Sequence, residues 1–153
     1  MANPTTLSSL TAREACADAL YRTLTGLDSN DRALFASGWT SSGVITFEMD
    51  GQMTEGLDKV TDTMFAFIGP LDTQHMISNV RVNVKGDGAY MTAYALAQHH
   101  RSGEGMDPTS ARLVGGSRYF VDLVRDRGDG VWRMKKWRMR LMWIEGDASI
   151  VGH

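Results

Sequence analysis

The chain reads VWRMKKWRMRLMWI at residues 131–144, a β-strand pattern whose apolar phase changes once along its length. The first large apolar residues, Trp132 and Met134, have even numbers. The later ones have odd numbers and are Trp137, Met139, Leu141 and Trp143. Because successive side chains of a strand point to opposite faces, both sets face inward only if one extra residue separates them. The pattern therefore predicts a β-bulge near Lys135 and Lys136, and a sheet bent there can curve around a cavity.

The same stretch also carries charge, in the form of five basic residues: Arg133, Lys135, Lys136, Arg138 and Arg140. We interpret them as the solvated face of the strand, with an anion site as the alternative. Across the whole chain, 16 Lys and Arg residues stand against 18 Asp and Glu residues, a net charge of −2. This balance argues against nucleic acid or an anionic membrane surface as a partner.

Three segments before this strand share its two-residue period, at residues 74–84, 89–100 and 113–125. Turn residues separate them, and the polar segment 101–112 is expected to form a long loop, as a rim or a lid. Short polar connections favour antiparallel neighbours over parallel crossovers. The second half of the chain therefore predicts four long strands in an antiparallel meander.

The first half of the chain reads mainly as helices. Thr11 and Glu14 have the spacing of a capping box, and apolar residues follow at three- and four-residue steps as far as Leu24. This pattern predicts a helix that stops at Gly26. Asp50-Gly51 is a strong signal for a two-residue hairpin turn. Two more helices and the two hairpin strands are predicted at residues 31–37, 57–68, 43–48 and 52–54.

The size and element order predict one α+β domain over residues 1–153, with the three helices packed on one face of the sheet. The single cysteine, Cys16, excludes an intrachain disulfide and a cysteine-based zinc site, and the 10 methionines are interpreted as core filling. No apolar run is long enough to cross a membrane, and residues 1–10 lack the features of a secretory signal. We therefore expect a cytoplasmic protein.

The motifs of nucleotide, covalent and metal chemistry are missing from the sequence. It contains no Walker loop, no Gly-x-Ser-x-Gly elbow and no His-Glu-x-x-His, and Gly115-Gly116 lies within a predicted strand. His99 and His100 are neighbours in a strand, so they point to opposite faces and cannot bind one metal from one side. We therefore expect neither a metal nor another cofactor, and acid–base chemistry remains.

Asp28 and His75 are the candidates for that chemistry, and each has two interpretations. Asp28 follows an apolar helix and can simply cap it, while His75 can be a hydrogen-bonded histidine near a strand end. Alternatively, a carboxylate holds one nitrogen of the imidazole and leaves the other free to take a proton. In a pocket, such a pair is a general base.

A second histidine is suggested by the small residues of one strand. His99 shares its strand face with Ala93, Ala95 and Ala97, which leave room in front of the sheet, whereas His100 shares a face with bulkier side chains. This alternation favours His99 over His100 as the pocket residue.

Three short segments together resemble a known family: LDSND at 27–31, TQHMISN at 73–79 and QHHR at 98–101. In this order of elements they are similar to the SnoaL-like branch of the nuclear transport factor two-like superfamily, over about residues 10–146. Scytalone dehydratase and γ-hexachlorocyclohexane dehydrochlorinase are enzymes of this branch. The chain looks like a fungal secondary-metabolite member of it.

The resemblance implies a cone-shaped, curved antiparallel or mixed sheet, closed by helices packed on its concave face, with an apolar pocket inside. It implies that Asp28 and His75 match the catalytic Asp–His dyad of the family. His99 resembles the second histidine of scytalone dehydratase, although the spacing also allows His100. Phe47 stands near where that enzyme has a tyrosine, so a water-orienting hydroxyl is missing. The lysine and arginine that assist dehydrochlorination have no clear match.

These inferences predict a lyase or isomerase without a cofactor, acting on a small, largely apolar polyketide- or terpenoid-like ring compound. In this hypothesis His75, oriented by Asp28, abstracts a proton next to a carbonyl, and His99 or a water it holds protonates an oxygen. The expected pocket walls, each of which can equally be plain core, are Tyr21, Trp39, Phe47, Met64, Phe67, Tyr119 and Trp143. The rival hypothesis is a non-catalytic ligand-binding or assembly domain of the same fold. A homodimer or homotrimer is expected in either case.

Overall fold

The computed structural model describes residues 2–152, which form three helices, six strands and a final turn of 3-10 helix. The helices are α1 (Ala12–Asp28), α2 (Arg32–Ser37) and α3 (Leu57–Phe67). The strands are β1 (Thr46–Met49), β2 (Gln52–Glu55), β3 (Asp72–Lys85), β4 (Gly88–His100), β5 (Leu113–Arg125) and β6 (Trp132–Gly146). The 3-10 helix spans Ala148–Val151. Within residues 2–152, no helix is both long and apolar enough to cross a membrane.

Helix α1 begins as predicted but ends later. The Thr11 hydroxyl accepts a hydrogen bond from the Glu14 backbone N–H at 3.3 Å, and the Glu14 carboxylate accepts one from the Thr11 backbone N–H at 2.7 Å. The predicted stop at Gly26 is wrong, because the helix continues to Asp28. A Cβ atom on Gly26 would lie 2.3 Å from the backbone nitrogen of Phe35. Gly26 therefore lets α2 approach α1 closely, and it does not end the helix.

The six strands form one open, mixed sheet in the order β2-β1-β6-β5-β4-β3. Strands β3 to β6 make the predicted antiparallel meander, and β1 and β2 form the predicted hairpin, with positive φ at Asp50 (47°) and Gly51 (87°). Strand β1 starts at Thr46, later than predicted, and joins the sheet by parallel pairing with β6. The three helices pack against this curved sheet, so the predicted α+β architecture is confirmed.

Strand β6 carries two bulges, of which one was predicted. Asp122 pairs with Lys136 and Leu123 pairs with Met134, so Lys135 is the extra residue, at the predicted place. A second bulge follows, because Gly116 pairs with Trp143 while Ser117 pairs with Leu141. Met142 is left over there, and the phase of the strand changes again.

This second bulge decides where Trp143 lies. A Cβ on Gly116 would be 2.3 Å from the Trp143 ring, whereas a Cβ on Gly115 would contact Leu141 and Ile144 at 3.7 and 3.9 Å. Neighbouring residues of a strand face opposite sides of the sheet. Trp143 is therefore on the other side from Leu141, and the inward phase predicted for it is wrong.

The core lies between the helices and the inner face of the sheet. Strand β4 alternates as predicted, with Ala93, Ala95 and His99 buried and Tyr94 and Leu96 exposed. The largest buried side chains of the core include Leu20 and Leu27 from α1, Phe35 from α2, Val60 from α3, and Met91, Tyr119, Val121 and Trp137 from the sheet. This packing holds the end of α1 over β3 and β4, where the candidate residues lie.

Candidate active site

Helix α1 and strand β3 bring the two main candidate residues together. Asp28 is the last residue of α1, and His75 lies on β3, on the side whose neighbours Thr73 and Ile77 are partly buried while Gln74 and Met76 are exposed. The extension of α1 beyond Gly26 carries Asp28 to the strand. Two residues that are 47 positions apart in the sequence thereby become direct partners.

Asp28 holds His75 through two hydrogen bonds. The imidazole Nδ1 lies 2.6 Å from Asp28 Oδ1, and the His75 backbone N–H donates to Asp28 Oδ2 over 2.8 Å. The side chains are 8% exposed for His75 and 19% for Asp28. Because an ionised carboxylate only accepts hydrogen bonds, the proton of the neutral imidazole is on Nδ1. The lone pair of His75 is therefore on Nε2, away from Asp28.

His99 lies beside this pair, on the next strand. The ring centroids of His75 and His99 are 5.5 Å apart, with the planes inclined at 69°. Nδ1 of His99 is 2.6 Å from the Thr73 hydroxyl. Burial, followed by the nearby His75, lowers the pKa of His99 to about 4, although the charge of Asp28 opposes this shift. His99 is therefore uncharged near neutral pH.

His100 turns to the other face of β4. Its Nδ1 lies 3.0 Å from the Ser110 hydroxyl of the loop, and its Nε2 accepts from the side-chain amide of Gln98 at 2.8 Å. The structure thus puts His99, and not His100, next to His75.

The residues expected to form pocket walls fall into two groups. Trp39, Phe47 and Tyr119 are buried, and each has its ring near Trp137, with centroid distances of 6.3, 4.9 and 4.9 Å. Burial, and secondarily the negative charge of Asp28, raise the pKa of the Tyr119 hydroxyl. Tyr119 is therefore within electrostatic reach of the dyad.

The other four expected wall residues are less enclosed. Met64 is partly buried against the core, while Tyr21 and Phe67 are each 43% exposed. The Phe67 ring is near Gly152, since a Cβ there would lie 2.9 Å from it. Trp143 is 49% exposed, on the face of the sheet opposite to His75 and His99. The structure does not bring Trp143 to the dyad.

Two residues beside the candidates have no role in the sequence interpretation. Thr73 contacts His99, and the signal for it is weak: it is two residues before His75, so it shares a strand face with that residue. Trp137 was recognised as an inward residue but not as the centre of the aromatic cluster. Finding either role required the pairing of the strands, which the sequence does not state.

Other reactive groups and spaces lie away from the dyad or are poorly suited to chemistry. Burial raises the pKa of the Cys16 thiol to about 12, so this thiol is not a nucleophile near neutral pH. Within residues 2–152, no three His, Cys, Asp or Glu side chains are grouped so that they could hold a metal ion. A cleft of about 370 Å³ lies by Arg22 and Trp132, and one of about 630 Å³ by Asp126. Neither cleft is lined by the dyad, so the apolar pocket beside it stays a prediction.

With this geometry established, similarity to known proteins identifies the family. The sequence model of the SnoaL-like domain family matches residues 8–138 of this chain. This chain belongs to the SnoaL-like domain family. The family inferred from the three short segments is thereby confirmed, within the nuclear transport factor two-like superfamily.

A fungal relative shares most of the SnoaL-like chain. Terrestric acid biosynthesis cluster protein E of Penicillium crustosum is 40% identical over 144 residues, which are 94% of this chain and 91% of the relative. The expected resemblance to a fungal secondary-metabolite protein is therefore confirmed, because this relative is named for a biosynthesis cluster.

Solved structures share the SnoaL-like fold at lower identity. The hexachlorocyclohexane dehydrochlorinase LinA-type3 of Novosphingobium barchaimii has a TM-score of 0.72 and 22% identity, covering 90% of each chain. The Kfla4162 protein of Kribbella flavida has a TM-score of 0.76 and 19% identity, covering 92% of this chain and 97% of that one. At these identities the similarity concerns the fold alone.

Proposed function

We propose that this protein is an acid–base lyase or isomerase of the dehydratase type. Its substrate is a small, largely apolar ring compound, polyketide- or terpenoid-like in character. The observation that carries the proposal is the double hydrogen bond from His75 to the Asp28 carboxylate. This arrangement leaves a lone pair on Nε2 of a nearly buried imidazole, which is the requirement for a general base.

In the proposed reaction, Nε2 of His75 takes a proton from the carbon next to a carbonyl. The C–H electrons move toward the carbonyl oxygen, and Asp28 stabilises the imidazolium that forms. In a dehydration the electrons then return to form a C=C bond while the C–O bond breaks, and the leaving hydroxide takes the proton from the His75 imidazolium and departs as water. In an isomerisation the proton returns to another position. His99, or a water that it holds, donates a hydrogen bond to the carbonyl oxygen on which negative charge develops. A base of this kind contributes about 10²- to 10⁴-fold in rate.

Similar proteins support this reaction class. Hexachlorocyclohexane dehydrochlorinase, which shares the fold, is named for removing hydrogen and chloride, an elimination that also takes a proton from carbon. The relative from the terrestric acid cluster supports a role in secondary metabolism. The aromatic cluster of Trp39, Phe47, Tyr119 and Trp137 supports an apolar substrate.

Deuterium exchange tests the proton abstraction without the natural substrate. A panel of single-ring and fused-ring cyclic β-hydroxy ketones is incubated with the protein in D₂O, and exchange next to the carbonyl is followed by NMR and mass spectrometry. We expect catalysed exchange that falls by about 10²- to 10⁴-fold in His75→Ala and falls in Asp28→Asn. His100→Ala is the matched control, because this imidazole is on the other face of β4, and it should exchange at the wild-type rate.

Two results would contradict the proposal. One is wild-type exchange in both dyad variants, which would remove the base from His75. The other is a lack of catalysed exchange across the whole panel, which would reject this substrate class. Circular dichroism of each variant checks that the fold is intact.

One observation favours the rival function, a ligand-binding or assembly domain. The hydrogen bond from the His75 backbone N–H to Asp28 ties the end of α1 to β3, and it stabilises the fold whether or not the pair is catalytic. If the contact between Asp28 and His75 is only structural, we expect compounds of the panel to shift the NMR signals of residues around His75 without exchanging deuterium. Loss of Asp28 then lowers stability alone.

We also propose that the protein forms a homodimer or homotrimer through the outer face of its sheet. Four residues pair in one row across four strands: Met76, Leu96, Gly116 and Trp143. The side chains of Met76, Leu96 and Trp143 are 48%, 37% and 49% exposed, respectively. Such a row of exposed large apolar groups is typical of an interaction surface. Light scattering should give two or three times the chain mass of 16.9 kDa, and a particle of that single mass at micromolar concentration would contradict the proposal.

A further inference from the structure

Thr73 stands at a position that links the two histidines of the candidate site. It is two residues before His75 on β3, so the two residues share a face, and the pairing of β3 with β4 puts Thr73 opposite His99. Its hydroxyl lies 2.6 Å from Nδ1 of His99. Each imidazole thus has one fixed partner at Nδ1, which is a carboxylate for His75 and a hydroxyl for His99.

The chemistry of these partners allows the two rings to hold opposite tautomers. The carboxylate of Asp28 can only accept, so it requires a proton on Nδ1 of His75. A hydroxyl can donate or accept. When the Thr73 hydroxyl donates across the 2.6 Å contact to Nδ1 of His99, that nitrogen carries the lone pair and the ring proton is on Nε2. This arrangement gives the site an acceptor at Nε2 of His75 and a donor at Nε2 of His99, the two groups that the proposed reaction needs.

We propose that Thr73 is a positioning residue that fixes the Nε2–H tautomer of His99 and makes this ring a neutral hydrogen-bond donor beside the base His75. For its catalytic consequence the proposal rests on the function proposed above. His75 receives the proton that leaves carbon. His99 keeps its own proton and donates a hydrogen bond to the substrate oxygen on which negative charge develops.

The surroundings of His99 support a neutral donor. Three titratable groups act on its ring, namely His75, Asp28 and His100, and the net effect together with burial keeps its pKa at about 4. A charged imidazolium would donate from both nitrogens and would not accept from Thr73. The neutral ring can hold the bond to Thr73 and still donate from Nε2.

Nitrogen NMR of the free protein tests the tautomer directly, without any substrate. With ¹⁵N-labelled histidine at pH 7, we expect protonated Nε2 and unprotonated Nδ1 for His99 in the wild type. Thr73→Val removes the hydroxyl at nearly constant shape and should give a mixture of tautomers, while Thr73→Ser should restore the wild-type pattern. Thr92→Val, on the opposite face of β4, is the matched control. Protonated Nδ1 in the wild type, or an unchanged tautomer in Thr73→Val, would overturn the proposal.

The deuterium-exchange panel then measures the catalytic consequence. We expect Thr73→Val to lower kcat for exchange by about 10- to 100-fold with little change in KM. This loss in kcat is smaller than the loss from deleting a hydrogen-bond donor to the oxyanion itself. Thr73→Ser should recover most of the rate, and full activity in Thr73→Val would overturn the positioning role.

The two proposals fail in different ways. If His75→Ala exchanges normally while the tautomer of His99 responds to Thr73, the general base is wrong and the assignment of Thr73 survives. If His75→Ala is inactive while the tautomer ignores Thr73, only the assignment of Thr73 is wrong.

Discussion

Helix α1 carries two acid–base pairs, one in its middle and one at its end, and the two differ in the partner of the carboxylate. In the middle of the helix, Asp18 accepts a hydrogen bond from Arg22 at 3.0 Å, one turn along the same helix. At its end, Asp28 holds His75 at 2.6 Å on another element. Both pairs are largely buried, with side-chain exposures of 13% and 5% in the first and 19% and 8% in the second.

The partner decides what each pair can do. A guanidinium stays protonated at any physiological pH, so Asp18 and Arg22 cannot pass a proton to a substrate. Arg22 also donates to the backbone carbonyls of Thr5 and Trp132, which joins the chain before α1 to the start of β6. An imidazole can both take and release a proton, so the pair of Asp28 and His75 can act as a base. A buried carboxylate therefore serves structure in the middle of α1 and, in our proposal, chemistry at its end.

Removing Arg22 is expected to have the largest effect on stability. Burial raises the pKa of Asp18 and lowers that of Arg22, so desolvation outweighs the attraction within the pair. Arg22→Leu leaves a buried carboxylate without its partner and should cost about 3–5 kcal/mol of unfolding free energy. The double variant with Asp18→Leu should recover most of this loss. Urea denaturation of the three proteins measures both effects.

The dyad provides the contrast to this prediction. His75→Leu leaves Asp28 with the backbone N–H of residue 75, so its stability loss should be smaller than that of Arg22→Leu, while deuterium exchange is lost. Folded Arg22→Leu protein should exchange at the wild-type rate. A greater stability loss in His75→Leu than in Arg22→Leu would remove the distinction between the two pairs of α1.

The pH dependence of stability sharpens the comparison at the site. The pKa of His99 falls from 6.5 to about 4 on folding. As pH drops through this interval, the unfolded chain binds a proton at His99 and the folded chain does not, so stability present above pH 6.5 is lost down to about pH 4. The full shift corresponds to about 3 kcal/mol.

Replacement of His99 checks the sign and size of this effect. His99→Gln keeps an amide in the site but cannot titrate, so its unfolding free energy should fall less steeply between pH 6.5 and 4 than that of the wild type. Urea denaturation at several pH values gives both slopes. Equal slopes would mean that His99 has the same pKa in the folded and the unfolded protein, which would contradict the lowering of its pKa by burial.

The sequence predicted those parts of the fold that depend on local pattern. Three features depend only on residues that are close together in the sequence: the capping box at Thr11, the hairpin at Asp50-Gly51 and the bulge at Lys135. The parallel pairing of β1 with β6 and the bulge at Met142 depend on distant strands and have no local signal. Local pattern therefore specified most elements but not how all of them join.

The candidate site shows the same division. Asp28 and His75 were candidates by residue type, and the resemblance to the family implied that they form a dyad, whereas their contact depends on where α1 ends. The role of Thr73 depends on the β3–β4 register, which shifts at a bulge between Ser78 and Arg81. Residue types suggested the chemistry, and only the paired strands revealed which groups touch.

Gly26→Ala is expected to have the smallest effect, and it tests how the helix end reaches the site. Alanine favours a helix by about 1 kcal/mol over glycine, yet its Cβ would lie 2.3 Å from the Phe35 nitrogen and 2.8 Å from the Asp31 carbonyl oxygen. Backbone atoms cannot yield as a flexible side chain does, so α1 and α2 must separate, at a cost of about 1–3 kcal/mol.

Because Asp28 follows two residues later, this separation should also loosen its hold on His75 and slow deuterium exchange. Gly128→Ala is the matched control, since a Cβ at that exposed turn has open space around it. If Gly26→Ala were as stable and as active as Gly128→Ala, the close approach of α1 and α2 would not be what positions Asp28. Asp28, at the end of α1, would then owe its position to its own hydrogen bonds with His75 and not to the packing of α1 against α2.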